Sequence, residues 1–234
     1  MGFYEPSTTC QVPELSELYE AAFGQRRDGT FVEVGAFDGD TYSNTSCLAD
    51  LGWRGLYIEP VPKFAQVCRW RHFGNQNVTV EECAVGATPG RLPIHIAKAF
   101  SSFHPAVIED AKAAYDRLSP EERLMPFEAV FGGEVVPVDV VRLEMLLAKH
   151  RIKPGFDLLV VDVEGHETEV FDSFDLAGWQ PTMVIAELVD RALRPTAAPG
   201  EPASDVEALR ARILSCGYRS LYVDAANTVF VRAS

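Results

Sequence analysis

One stretch constrains this chain more than any other. Thr30-Phe31-Val32-Glu33-Val34 is β-branched and aromatic, as a buried parallel strand is, and it breaks into Gly35-Ala36-Phe37-Asp38-Gly39. A strand therefore ends in a glycine turn. Thr41, Ser43, Asn44 and Thr45 follow as N-cap residues for a helix, whose free N–H groups face whatever lies over the turn. Gly35 and Gly39 are expected to let backbone approach a ligand where a Cβ would obstruct it. The spacing E-x-G-x-x-x-G is not the G-x-G-x-x-G that cradles a dinucleotide pyrophosphate, and an acidic residue inside the loop suits a cationic ligand better.

The rest of the chain repeats this unit. Residues 1–29 carry one apolar helical stripe, Leu15, Leu18, Tyr19, Ala22 and Phe23, expected to cover one edge of a sheet. A helix over Ser43–Leu51 leads to a second strand, Leu56–Glu59, and a helix over Phe64–Phe73 to a third that starts at Val78 and closes at Cys83-Ala84-Val85-Gly86. Strand, helix, strand, helix, strand is half of a parallel sheet. Arg91–Ala97 and Glu134–Val141 read as further strands, with helices around Pro105–Leu118 and Glu121–Phe131 between them. The insertion 98–133 is expected to lie over the binding face as a lid, with Gly132-Gly133 as its hinge. Arg142–His150 reads as a helix. Asp157–Asp162 is a second strongly buried strand, followed by Val163-Glu164-Gly165-His166-Glu167 and a helix through Phe174; Thr182–Leu188 is another strand. Residues 191–204 form a Pro/Ala-rich loop, Asp205–Cys216 a helix, and Tyr218–Val223 with Thr228–Val231 an antiparallel hairpin at the sheet's far edge.

Composition narrows the partners. At 234 residues with 47% hydrophobic and 24% charged residues, the chain is expected to be one soluble domain, 1–234, with an N-terminal helical segment 1–27. A formal charge of −13 argues against nucleic acid and against an anionic membrane surface. Five scattered cysteines without a C-x-x-C pair signal neither a disulfide framework nor a zinc site, and point to reduced thiols in a cytoplasm. No secretory leader and no membrane-length apolar run is read. A homodimer is a further expectation.

Three clusters carry chemistry. Glu59, at the tip of the second strand and about twenty residues past the glycine turn, is placed where doubly wound folds hold a ribose diol; the alternative is a surface carboxylate. Asp162 and Glu187 end two strands expected to be neighbours, about 4.8 Å apart, with Glu164 two residues after the first, so they can converge on a hard cation such as Mg²⁺. Without a metal they would repel unless one is protonated or paired with Arg191 or Lys98. His166, just past a strand end, is the candidate base; the alternatives are an exposed loop histidine or a helix cap. Ser101, Ser102 and His104 either contact an acceptor or merely start a helix, while His72, His95 and His150 have no context beyond helix or strand surface.

FVEVGAFDGDTYSNT, LGWRGLYIEPVP, ECAVG and LLVVDVEGHE, in this order, make the chain resemble the FkbM family of S-adenosylmethionine-dependent methyltransferases over roughly Asp28–Leu188. The resemblance implies a class I, Rossmann-like α/β fold: a seven-stranded, mostly parallel sheet with an antiparallel C-terminal hairpin and helices on both faces. It implies Glu33, Gly35, Phe37, Asp38, Gly39, Ser43 and Asn44 for the methionine end of S-adenosylmethionine, Glu59 for its ribose, and Cys83 and Ala84 for its adenine. The carboxylate pair is similar to the metal site of catechol-type O-methyltransferases, although Leu188 stands where those enzymes place an amide. The expected activity is metal-assisted O-methylation of a sugar or glycosylated metabolite, with His166 as base beside Asp162 and Glu164 and with Ser101, Ser102 and His104 as acceptor contacts. The rivals are a metal-independent O-methyltransferase of another natural product, a binding protein without catalysis, and a nicotinamide oxidoreductase.

Overall fold

In the computed structural model, which describes residues 2–119, 127–189 and 206–233, the elements run α1 (Leu15–Phe23), β1 (Thr30–Val34), α2 (Ser46–Asp50), β2 (Arg54–Ile58), α3 (Pro62–Arg71), β3 (Val78–Glu81), β4 (Ala84–Val85), β5 (Gly90–His95), α4 (Pro105–Arg117), α5 (Phe127–Val130), β6 (Val135–Val141), α6 (Leu143–Lys149), β7 (Leu158–Val161), α7 (Glu167–Phe171), α8 (Leu176–Trp179), β8 (Met183–Glu187), α9 (Val206–Ser215), β9 (Tyr218–Val223) and β10 (Asn227–Arg232). The main sheet has the order β3-β2-β1-β7-β8-β10-β9. Pairing is parallel from β3 to β8, and β10 alone runs antiparallel, between β8 and β9. The order reverses between β1 and β7, so a crevice opens beyond their carboxyl ends, where ligands bind in sheets of this kind.

Alternation along the buried strands splits the core into two layers. Val32, Val34, Leu56, Ile58, Leu159, Val161, Val184 and Phe230 face one side, against Leu143 and Leu147 of α6, Phe171 of α7 and Ile213 of α9. Phe31, Tyr57, Leu158, Val160, Met183, Ile185 and Val229 face the other, against Leu15 and Tyr19 of α1, Leu48 of α2, Tyr4 and Trp53. At about 1.5–3 kcal/mol for each fully buried large apolar side chain, these layers dominate the fold's stability. The N-terminal helix thus covers a face of the sheet and not an edge, since Leu15 and Tyr19 pack into the layer formed by β1, β2, β7, β8 and β10.

Two strands differ from the sequence reading. β3 ends at Glu81, and Ala84–Val85 crosses into a second sheet of order β4-β6-β5, so the run from Val78 to Val85 is not one strand. The reason is lateral: Val140 and Val141 of β6 offer Ala84 and Val85 a partner that the main-sheet edge does not. In the insertion, α4 and α5 are formed, Gly133 takes a positive φ of 72°, and residues 120–126 lie outside the described residues. The loop read at 191–204 and Arg191 also lie outside them. No described helix is long and apolar enough to cross a membrane.

Candidate active site

Two adjoining cavities open at the carboxyl ends of β1, β2 and β7, sharing Gly35, Phe37, Ala99, Asp162 and Glu164 as walls. One is a slot of about 50 Å³ lined by Ile58, Phe64, Cys83, Ala84, Val85, Ile94 and Phe103, with Glu59 at its polar end. Its outer wall is the second sheet, whose Ile94 and Val140 pack on Val61 and Phe64. Cys83 and Ala84, which the family resemblance assigns to an adenine, thus line an apolar slot.

Glu59 is buried, not a surface carboxylate. Its Oε2 accepts the Phe37 N–H at 2.9 Å and its Oε1 the Val61 N–H at 2.8 Å. Burial pushes its pKa up to about 8 against the pull of those two N–H groups. Each carboxylate oxygen keeps accepting capacity for a further donor, which a diol supplies.

The second cavity, about 310 Å³, is polar: Glu33, Thr41, Ser43, Asp162 and Glu164 line it with Tyr42, Phe100, Thr9 and Gln11. Glu33 is enclosed on the α2 side of β1, taking hydrogen bonds from the hydroxyls of Ser43 (3.1 Å) and Thr45. Burial pushes its pKa up to about 7, the two hydroxyls opposing and Asp162 adding to the rise. Ser43 also accepts the N–H groups of Thr45 and Ser46 at 3.1 Å, so it caps α2 while holding Glu33.

The glycines have an internal reason. A Cβ on Gly35, at φ 91°, would lie 1.6 Å from the Asp162 carbonyl oxygen, so glycine here lets the turns after β1 and β7 touch. Gly39, at φ 75°, packs on Cys68 and His72 and lines neither cavity. Asp38 folds onto its own loop, accepting from the N–H of Asp40 and from both N–H and hydroxyl of Thr41. Asn44 is buried beneath the loop, its carbonyl accepting from the Tyr19 hydroxyl at 2.6 Å. Glu33, Gly35, Phe37 and Ser43 reach a cavity; Asp38, Gly39 and Asn44 shape the turn. Likewise His72 is no surface residue: it is buried, stacked on Tyr57 at 4.7 Å between ring centres. Phe37, Tyr42, Lys98 and Glu164, all cavity-lining, are four of the seven described non-glycine residues at positive φ, and strained backbone of this kind collects at functional sites.

At the ends of β7 and β8, one carboxylate oxygen from each of Asp162, Glu164 and Glu187 lies within 4.8 Å of the others. Asp162 and Glu187 lie close together at the strand ends, and burial together with the negative charges of Asp162, Glu164 and Glu167 pushes Glu187 well up, which favours a proton held between the pair. Oxygen-only donors crowded in this way suit a hard divalent cation, which would replace that proton.

His166 is buried, neither an exposed loop residue nor a side-chain cap of α7. Its ring lies 4.8 Å from that of Phe103, and its Nδ1 is 3.5 Å from both Glu169 Oε2 and His104 Nε2. It lines the slot beside Asp162 and Glu164. Ser102 donates its hydroxyl to the Glu164 carbonyl at 2.7 Å and accepts the His104 N–H at 3.0 Å; Ser101 donates to the Lys98 carbonyl at 2.6 Å. The Ser102 hydroxyl thus fastens the start of the insertion to the β7 turn, while that of Ser101 closes a turn within the insertion. Thr9, Gln11, Tyr42 and Phe100 were missed from sequence: Tyr42 lies within the glycine-turn motif but was given no role, and the other three have neither periodicity nor motif to mark them.

Among solved structures the chain is similar to a candidate O-methyltransferase from Klebsiella pneumoniae (15% identity, 94% of this chain and 78% of that one, TM-score 0.41). It is also similar to an O-methyltransferase from Bacillus cereus in complex with S-adenosylhomocysteine (14%, 96% and 84%, TM-score 0.44), and to fibrillarin from Aeropyrum pernix with bound S-adenosylmethionine (13%, 87% and 66%, TM-score 0.44). None of these likenesses is close enough to carry a substrate to this chain, and no curated protein matches it. The model of the FkbM methyltransferase domain, by contrast, matches residues 33–220, which take in the carboxyl end of β1, all of β2 and β7, and all three carboxylates at the crevice's end. The chain belongs to the FkbM methyltransferase family.

Proposed function

We infer that the chain is an S-adenosylmethionine-dependent O-methyltransferase of a sugar or glycosylated-metabolite hydroxyl, assisted by a divalent cation. The observation that carries this reading is the meeting of a ribose-type carboxylate, Glu59, with Asp162 and Glu164 on two cavities that share walls, Glu187 completing a cation-type carboxylate set beside the last two. The sugar acceptor is what the family implies.

Cys83, Ala84 and Glu59 would hold the nucleoside of S-adenosylmethionine, and Glu33, Gly35, Phe37 and Ser43 its amino-acid end. When bound, the cofactor supplies an electrophilic methyl carbon on a sulfonium. Glu33 and Asp162 place negative charge around a cationic ligand in a buried setting, where such attraction is strong. Asp162, Glu164 and Glu187 would hold Mg²⁺, which when bound lowers the pKa of a hydroxyl lying on it. His166 takes the hydroxyl proton, its ring oriented by Phe103 and Glu169. Phe103 and the insertion exclude water from the slot.

Incubation with isotope-labelled S-adenosylmethionine and a panel of neutral glycosides tests this reading, with mass spectrometry locating the label. Label on a glycoside oxygen is expected; label transferred only to nitrogen or carbon acceptors would overturn it.

A further inference from the structure

A second set of metal-type donors shares no residue with the strand-end carboxylates. His166 Nδ1 is 3.5 Å from His104 Nε2 and 3.5 Å from Glu169 Oε2, and one donor atom from each of the three residues lies within 4.8 Å of the others. A separation of 3.5 Å is the outer limit of a hydrogen bond. It matches two ligands on one tetrahedral ion, since donors about 2.0–2.2 Å from Zn²⁺ stand about 3.3–3.6 Å apart.

The fold brings the three side chains together. His166 and Glu169 are three residues apart at the start of α7 and so share a face. His104 comes from the insertion, where the Ser102 hydroxyl accepts its N–H at 3.0 Å and donates to the Glu164 carbonyl at 2.7 Å. His166 is buried, whereas the Glu169 side chain is 40% exposed, which gives an ion a path in from solvent. Two imidazoles and a carboxylate suit Zn²⁺ and its neighbours in the transition series, while the oxygen-only set of Asp162, Glu164 and Glu187 suits Mg²⁺. An imidazole bound to a cation through Nδ1 keeps its proton on Nε2 and has no lone pair left to accept another.

We propose that His104, His166 and Glu169 form a binding site for Zn²⁺ or a similar transition-metal ion, whose occupation switches methyl transfer off by withdrawing His166. The switch rests on the reading of His166 as base; the site does not. The ion would also pin the insertion to α7, because His104 belongs to the first and Glu169 to the second.

Co²⁺ is the probe, titrated into metal-free wild-type protein in excess Mg²⁺. Four-coordinate Co²⁺ absorbs strongly in the visible and six-coordinate Co²⁺ on oxygen donors only faintly, so an intense band that Zn²⁺ displaces is expected. His104→Ala and Glu169→Ala should each weaken Co²⁺ at least about 10-fold, since even the outer partners of a metal ligand carry that much. Asp162→Ala should keep the band. Absence of an intense band in the wild type, undiminished Co²⁺ affinity in both ligand variants, or loss of the band in Asp162→Ala would overturn the site. In turnover with Mg²⁺, Zn²⁺ should inhibit the wild type, and Glu169→Ala should need at least about 10-fold more Zn²⁺ for the same fractional loss. Equal zinc sensitivity in Glu169→Ala would move the inhibition elsewhere and overturn the switch. An intense band without zinc inhibition would overturn both the switch and the assignment of His166 as base, leaving the site in place.

Discussion

Glu59 accepts the backbone N–H of Phe37 at 2.9 Å, tying the tip of β2 to the turn after β1. Phe37 sits at φ 48°, so the carboxylate holds a strained residue in the wall shared by both cavities. Glu59→Ala should therefore weaken S-adenosylhomocysteine binding by roughly 1.5–3 kcal/mol, the scale of charge-assisted hydrogen bonds, and lower the unfolding free energy as well. Glu59→Gln, which keeps one acceptor, should recover part of the stability. Unaltered affinity in the alanine variant would remove Glu59 from the cofactor site.

The ligand-free protein should lose stability as pH rises from about 5 to about 8. Burial raises the folded-state pKa of Glu33 from 4.5 to about 7 and of Glu59 from 4.5 to about 8. For a raised carboxyl the contribution is full below the unfolded pKa and is lost as pH passes the folded one. For Glu33 it is on the order of 3 kcal/mol. Denaturant unfolding at several pH values reads it, and Glu33→Gln should flatten the slope. A ligand ammonium beside Glu33 reverses the sign, so S-adenosylhomocysteine, through its α-ammonium, should bind more tightly as Glu33 ionises. An identical pH slope in wild type and Glu33→Gln would contradict this.

Much of this was legible in sequence because it is periodic or punctuated. β7 and β8 are short apolar runs, and Asp162, His166 and Glu187 follow from where those strands stop. The roles of Asp38, Gly39 and Asn44 were not legible. Whether a loop residue faces a ligand or its own loop depends on partners such as Cys68, His72 and Tyr19, which are distant in sequence. The same limit hid Thr9 and Gln11, and it hid the second sheet, since Ala84–Val85 is too short to announce that it leaves the main one.

The insertion should act as a lid anchored at its start and hinged at its end, at Gly132-Gly133. Ser102 ties it to the Glu164 carbonyl at 2.7 Å, so closing over an acceptor and placing Glu164 are mechanically linked. Hydrogen exchange in Lys98–Leu118 should slow when acceptor and S-adenosylhomocysteine are both present. Ser102→Ala should lower turnover more than cofactor affinity. Equal exchange with and without ligands would show that no lid closes.

Turnover should depend on a divalent cation held by Asp162, Glu164 and Glu187. Chelation should abolish activity while leaving S-adenosylhomocysteine affinity largely intact, with Mg²⁺ restoring turnover and Asp162→Ala mimicking the loss. His166→Ala should lower kcat by about 10²–10⁴, the usual range for a lost general base. Full activity after chelation would mean that the proton shared by Asp162 and Glu187 stands in for the metal and His166 acts alone.

The account rests on one ligand spanning both cavities, with its nucleoside by Glu59 and its amino-acid end by Glu33. Calorimetric titration of the wild-type protein with S-adenosylhomocysteine and, separately, with NAD tests this most directly. Saturable binding of S-adenosylhomocysteine, weakened by Glu59→Ala, with no heat from NAD is the predicted result. Binding of NAD, or no binding of S-adenosylhomocysteine, would contradict it.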